Sequence, residues 1–301
     1  MSKLHPIVST LLKRIGLGII SLFFVTLIIF SSVNLLPGDF VESVLGQTRT
    51  EESVKIFRKE LGLDKPYHVR YVNWLTSAIQ GDLGSTFSGR NATYANQPQQ
   101  NTARSVSSLL KPRLFNTFFL AAMTAIIAIP LSLILGITAA LFRNSIYDRT
   151  VNASALTTIS MPEFFVAYIL IIYLASINQF FPSLSNVTSS TPFFERIYLS
   201  VLPALTLTLV TVAHMMRMTR ASIINLLSSP YIEMARLKGI SKTQVIVKHA
   251  LPNAWAPIAN IIAFNLAYLI VGVVVVEVVF VYPGIGQLMV CLLYTSPSPR
   301  D

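Results

Sequence analysis

A single cysteine, Cys291, stands in 301 residues, so an internal disulfide is excluded and no zinc constellation is on offer. Histidine is almost as scarce. His5, His68, His214 and His249 are scattered, with no HExxH or similar ligand spacing. Charge is thin as well: 12% of residues are charged against 53% hydrophobic, too apolar for an ordinary soluble domain. No P-loop is present, which removes the usual route to binding and hydrolysing ATP. Serine and threonine are plentiful, but no nucleophile–base pair or metal set accompanies them, so a membrane-embedded hydrolase has no support. No soluble repeat of about 20 to 50 residues recurs along the chain. A formal net charge of +10 suggests nucleic acid only where the bases share one face, and here they do not.

What the chain does have is long apolar runs. Ile15 to Leu36 is 22 residues, about 33 Å as a helix, which spans a bilayer core. It is too long for a signal-peptide h-region, and no small-x-small cleavage site follows, so it reads as an uncleaved first span. Further spans are expected at Leu114–Phe142 with a kink at Pro130, Val151–Ile177, Tyr198–Met216 and Asn253–Val276. A sixth begins at Gly286. The fold class is therefore an all-α polytopic membrane protein, with five complete transmembrane helices and the start of a sixth.

Residues 37–113 are polar by comparison, with ten bases and seven acids. Glu51–Leu63 carries Val54, Phe57 and Leu61 at helical spacing, and Tyr67–Ile79 carries Val69, Val72, Leu75 and Ile79. The region reads as a small, largely helical extracytoplasmic domain, with a polar, flexible loop at Arg90–Thr102. The bases elsewhere sort by side. Lys3, Lys13 and Arg14 open the chain, Arg143 and Arg149 lie in a short connection, and six more lie between Arg217 and Lys248. Those segments hold only Asp148 and Glu233 as acids, whereas Gln179–Ile197 has one base and one acid. Positive-inside asymmetry then puts the N-terminus and the 217–253 loop in the cytoplasm.

That loop is highly organised. Ser229-Pro230 reads as a helix start, because proline's missing N–H costs nothing in the first turn. Gly239 sits where a left-handed residue would end the helix. Ser241 and Gln244 form a capping-box pattern for a second short helix. Helix, glycine turn and helix, anchored at both ends to spans, make a rigid projection fit to dock a soluble partner.

Glu233-Met234-Ala235, Gly239 and Ala250-Leu251-Pro252-Asn253-Ala254 resemble the EAA loop of ABC-importer permeases. Leu35-Leu36-Pro37-Gly38-Asp39, Leu61-Gly62-Leu63-Asp64-Lys65-Pro66, Gln80-Gly81-Asp82-Leu83-Gly84 and Val276-Glu277 through Tyr282-Pro283-Gly284-Ile285-Gly286 narrow the resemblance to the dipeptide/oligopeptide/nickel permease family. It covers residues 8 to 290, with one departure: Met234 replaces the middle residue of the triplet. The resemblance implies a permease subunit in a bacterial-type inner membrane, half of a pathway for short peptides, without a cofactor and without enzymatic activity of its own. It implies as partners a second permease subunit, two ATPase subunits and an extracytoplasmic solute-binding protein. It implies ATPase docking by Tyr231, Glu233, Met234, Ala235 and Gly239. Cargo stays open between dipeptide, longer peptide, glutathione, nickel chelate and a sugar-like compound.

The alternative is a secondary transporter, which would want intramembrane charges and broken helices in matched halves. Two acids bear on the pathway. Glu163 follows Pro162 in the third run, where a carboxylate either faces a pathway or marks the interface. Glu277 closes the fifth span ahead of Tyr282-Pro283-Gly284, either stopping the helix or shaping an outer gate. The division expected is 1–36 (N-terminus and first span), 37–113 (extracytoplasmic), 114–290 (permease core with the 217–253 coupling loop) and 291–301. Pro297 and Pro299 cannot continue a helix; the last segment is expected to be a non-native tail where a span should go on for ~20 residues.

Overall fold

The computed structural model describes residues 6–35, 41, 51–60, 62–86, 104–271 and 273–295. The loop expected at Arg90–Thr102, the Leu36–Asp39 part of the first motif and the tail from Ser296 lie outside the described residues. Among the described residues every element is helical apart from one isolated antiparallel bridge between Ser85 and Ser105. The chain divides into two compact units, Met1–Leu109 with Ser296–Asp301, and Leu110–Thr295.

The first unit contains α1 (Pro6–Leu35), α2 (Glu51–Glu60) and α3 (Tyr67–Ile79). Proline at the start of α1 is tolerated because the first N–H groups of a helix are unpaired in any case. α3 begins after Pro66, whose extended ψ of 145° sets the entry, and stops at the Gln80-Gly81 turn. α1 and α3 pack through aromatic rings: Phe23 and Phe30 meet Tyr67, Tyr71 and Trp74 at centroid separations of 5.3–6.0 Å. α1, α2 and α3 all lie in this one compact unit.

The second unit is built on α4 (Val106–Leu141, whose first residues precede the division) and α7 (Phe193–Leu227). α7 is the central element, with 72% of its most apolar window buried. Leu120, Ala121, Ala125, Ala167, Leu202, Leu207, Leu269, Val276, Phe280 and Tyr282 form its principal core. Alanine and threonine are frequent on these faces, as suits helices that approach closely in a bilayer, where packing and not hydrophobicity holds them together.

Two expectations for the spans change. The third run is not one straight helix but two, α5 (Ile146–Ser160) and α6 (Glu163–Leu170, continued as π-helix over Ile171–Ile177), bent by 104° at the junction. Pro162 is the cause. It cannot donate to the preceding turn and forces Met161 out of helical geometry, to φ −91° and ψ 133°. The fifth run is longer than expected: Val245–Val279 is one candidate span, made of the π-helical stretch from Val245, α10 (Leu251–Val271) and α11 (Val274–Val279), and α12 (Ile285–Thr295) follows the Pro283 turn. Among the described residues, four helices are long and apolar enough to cross a membrane, or five with the bent pair taken as one span.

Candidate functional site

Between α7 and α10 the chain forms α8 (Pro230–Leu237), a turn, the single helical turn α9 (Lys242–Gln244) and a π-helical stretch, Val245–Ala250. Gly239 has φ 76°, the left-handed conformation that ends a helix cheaply only at glycine, and Ile240 N–H returns to Ala235 O at 3.3 Å. Ser241 does offer its hydroxyl to the Gln244 N–H, but at 3.4 Å, so the cap is weak. The second helix does not stop as the sequence suggests. It runs through the π-helical stretch directly into α10, with Leu251 N–H donating five residues back to Ile246 O. The widening has a reason in Pro252, whose ring and absent N–H would disrupt a regular turn at this point. The loop is thereby joined rigidly to the fifth span.

A small core seals the loop. Ile232, Ala235, Val245 and Ala250 are buried together, with Leu227 and Ile240 against them. Ile246 enters a separate cluster with Ala140, Ile223, Ala254 and Ile258, which ties the loop to α4, α7 and α10. Tyr231, Glu233, Met234, Leu237, Lys238 and Gly239 stay exposed. Of the five residues expected to dock a partner, the structure thus groups Tyr231, Glu233, Met234 and Gly239 on the outside and turns Ala235 inward. Its small side chain allows close approach of the π-helical stretch.

Arg220, near the end of α7, has a definite partner. Its Nε and Nη2 each donate to Asp148 at 2.7 Å, a two-pronged ion pair between α7 and α5. The Asp148 carboxylate also accepts from the Asn144 N–H at 3.0 Å and Asn152 Nδ2 at 2.7 Å. Asp148 precedes the apolar run that begins at Val151. The Arg220 guanidinium holds its carboxyl below the ordinary carboxylate range, and burial opposes that shift.

At the other end of the spans lies a polar clamp that the sequence does not announce. Glu277 is fully buried; Thr117 Oγ1 donates to its Oε1 at 2.7 Å and Gln287 N–H to its Oε2 at 3.1 Å. Thr117 in turn accepts from Ile285 N–H at 3.0 Å. Asn116 Nδ2 donates to Pro283 O at 2.9 Å, and Arg196 Nη1 donates to Asn116 Oδ1 at 2.6 Å. Arg113 reaches Gln287 Oε1 at 2.7 Å, and the Tyr282 hydroxyl donates to Asn116 O at 3.0 Å. α4, α7, α11 and α12 are thus clasped around one turn. Within that turn Val281 has φ 52°, a strained conformation for a β-branched residue, held by Tyr282 N–H to Glu277 O at 2.8 Å. Glu277 therefore lines no open surface; it is the internal acceptor of the clamp. Glu163 is half-buried at the start of α6 and accepts a hydrogen bond from the Tyr268 hydroxyl of α10.

Two family models match the chain. Residues 132–296 match the binding-protein-dependent transport system inner membrane component, and residues 7–121 match its N-terminal membrane component. Among curated relatives, the chain is 33% identical over 280 residues to the glutathione transport system permease protein GsiC of Salmonella choleraesuis, covering 93% of this chain and 84% of that protein. It is 33% identical over 293 residues to a putative peptide transport system permease protein of Brucella abortus, covering 96% and 88%.

Proposed function

This chain belongs to the binding-protein-dependent transport system inner membrane components, and from that premise we propose that it forms half of an import pathway for short peptides. As a permease subunit it is not an enzyme, and its ATP-driven work is supplied by separate ATPase subunits. The relatives' names, one for glutathione and one for peptides, favour peptide cargo. A second permease subunit completes the pathway, a solute-binding protein delivers cargo from outside, and the N-terminus and coupling loop face the cytoplasm.

One observation carries the coupling role. The exposed Tyr231, Glu233, Met234 and Gly239 ride on a sealed core that continues without a break into the fifth span. A groove in an ATPase subunit would hold the α8 surface, with Glu233 facing bases on the groove. Movement of that groove then turns α10 as a lever. Alternating access needs only such rigid elements with two arrangements.

The test is to express Glu233→Lys and Gly239→Leu variants with the partner subunits. Both should insert into the membrane normally, recover less ATPase subunit on purification and lose peptide uptake. Full uptake by both variants would end the docking assignment.

A further inference from the structure

We propose that α3 is not part of a water-borne domain but lies in the membrane interface beside α1, with Val72, Leu75 and Ile79 directed into the lipid acyl chains. The inference begins with where α3 touches α1. Tyr67 OH shares a hydrogen bond with Ser31 Oγ, and Tyr71 OH with Thr26 Oγ1 at 3.0 Å. The Arg70 guanidinium donates to Asn34 Oδ1, and Phe30 is ringed by Tyr67, Tyr71 and Trp74. All these α1 partners lie between Phe23 and Asn34.

Depth follows from helix geometry. The last charge before the apolar run is Arg14, and a hydrocarbon core of about 30 Å takes about 20 residues at ~1.5 Å each. The core therefore ends near Asn34. Phe30 then sits about 6 Å inside that boundary and Thr26 about 12 Å. An amphipathic helix at the interface buries its apolar face by about 5–10 Å. Phe30, which meets Tyr67, Tyr71 and Trp74, falls in that range, the Tyr71–Thr26 bond lies just below it, and Arg70 meets Asn34 at the boundary itself, where a guanidinium keeps its hydration. Tyr67, Tyr71 and Trp74 are the residue types that settle at this level.

The rest of α3 has the matching pattern. Tyr67, Arg70, Tyr71 and Trp74, at i, i+3, i+4 and i+7, face α1. Val72, Leu75 and Ile79 form an adjoining stripe at i, i+3 and i+7, and Val72 and Ile79 are 54% and 78% exposed. His68 continues the stripe at the start of the helix, and Val69, Asn73, Thr76 and Ser77 occupy the remaining side. A helix held to a span at acyl depth presents such a stripe to lipid, not to water. Hydroxyl-to-hydroxyl bonds at Thr26 and Ser31 also remove polar groups from hydrocarbon, where each would otherwise be costly.

The experiment uses the assembled transporter in lipid vesicles, in a Cys291→Ser background, with nitroxide labels on Val72→Cys, Ile79→Cys and Asn73→Cys. Oxygen, which concentrates in lipid, should relax the labels at 72 and 79 several-fold more effectively than an aqueous nickel chelate, and Asn73 should show the reverse ratio. Brominated lipids should quench Trp74 in a Trp255→Phe variant, which checks depth without a label. Chelate-accessible labels at 72 and 79 would return α3 to water. Labels shielded from both reagents, with Trp74 unquenched, would mean that a partner subunit covers the stripe, and either result overturns the proposal.

Discussion

Gly284 exists for the sake of Glu277: a Cβ built on Gly284 would overlap the Glu277 carboxylate, which lies flat against the glycine backbone. That contact lets one carboxylate accept from both Thr117 and Gln287 N–H while staying out of water. A buried carboxylate is costly unless it is fully hydrogen-bonded, so the clamp and the glycine depend on each other.

Gly284→Ala should therefore behave as an overpacking change and lower stability by about 1–3 kcal/mol. Glu277→Gln keeps the shape and loses the charge; Glu277→Ala removes the obstacle. The double variant Gly284→Ala/Glu277→Ala should be no less stable than Glu277→Ala alone, since neighbouring changes that share a contact do not add. Thermal unfolding of the native chain, Gly284→Ala, Glu277→Ala and the double variant checks this. Full additivity would mean that the two residues do not sense each other.

A second pair, Asp148 and Arg220, fixes α5 against α7. Asp148→Asn should cost about 1–3 kcal/mol, the scale of charge-assisted hydrogen bonds. Arg220→Lys should not restore the loss, because an ammonium cannot present the two parallel donors. The carboxyl is held low in the folded chain. Its contribution is thus fully present above the unfolded value of about 3.9 and lost as pH falls through the lower folded value. The stability gap between the native chain and Asp148→Asn, measured from neutral pH downward, should hold steady and then close in acid.

How far these features can be read from the sequence depends on how local their causes are. The spans follow from apolar run length, and α8 follows from Ser229-Pro230 and Gly239, because start and stop signals lie within a few residues of the elements they govern. Pro162 marks a break, but the size of the bend is set by what α5 and α6 pack against. The clamp was out of reach for the same reason. Glu277 stands 160 positions from Thr117, and nothing near Thr117 distinguishes it from other threonines in apolar helices. Likewise the triplet at 233–235 identifies a loop, but only the fold shows that Ala235 faces inward while Met234 faces out.

That opposition of neighbours gives a sharp contrast. Ala235→Leu should overfill the core of Ile232, Val245 and Ala250, destabilising the loop by about 1–3 kcal/mol and opening it to protease. Met234→Gln, on the exposed side, should leave protease resistance unchanged and reduce only ATPase recovery. Limited proteolysis beside co-purification separates the two. Equal protease sensitivity in both variants would contradict the inward and outward assignment.

Sidedness is decided by chemistry at two threonines. With Cys291→Ser removing the single native thiol, a cysteine at Thr86 should react with a membrane-impermeant reagent added outside intact cells. One at Thr243 should react only after permeabilisation. The basis is the cluster of bases from Arg217 to Lys248 against the balanced Gln179–Ile197 segment, since cytoplasmic loops carry the excess of Lys and Arg. Thr86 follows α3 beyond its turn, and its N–H pairs with Arg104 O at 2.8 Å, so the site lies on ordered backbone. Thr243 is exposed within α9. Interface burial of α3 does not alter the expectation for Thr86, which lies seven residues past the end of that helix. Reaction at Thr243 from outside, with Thr86 protected, would invert the topology and place the coupling surface where no ATPase could reach it.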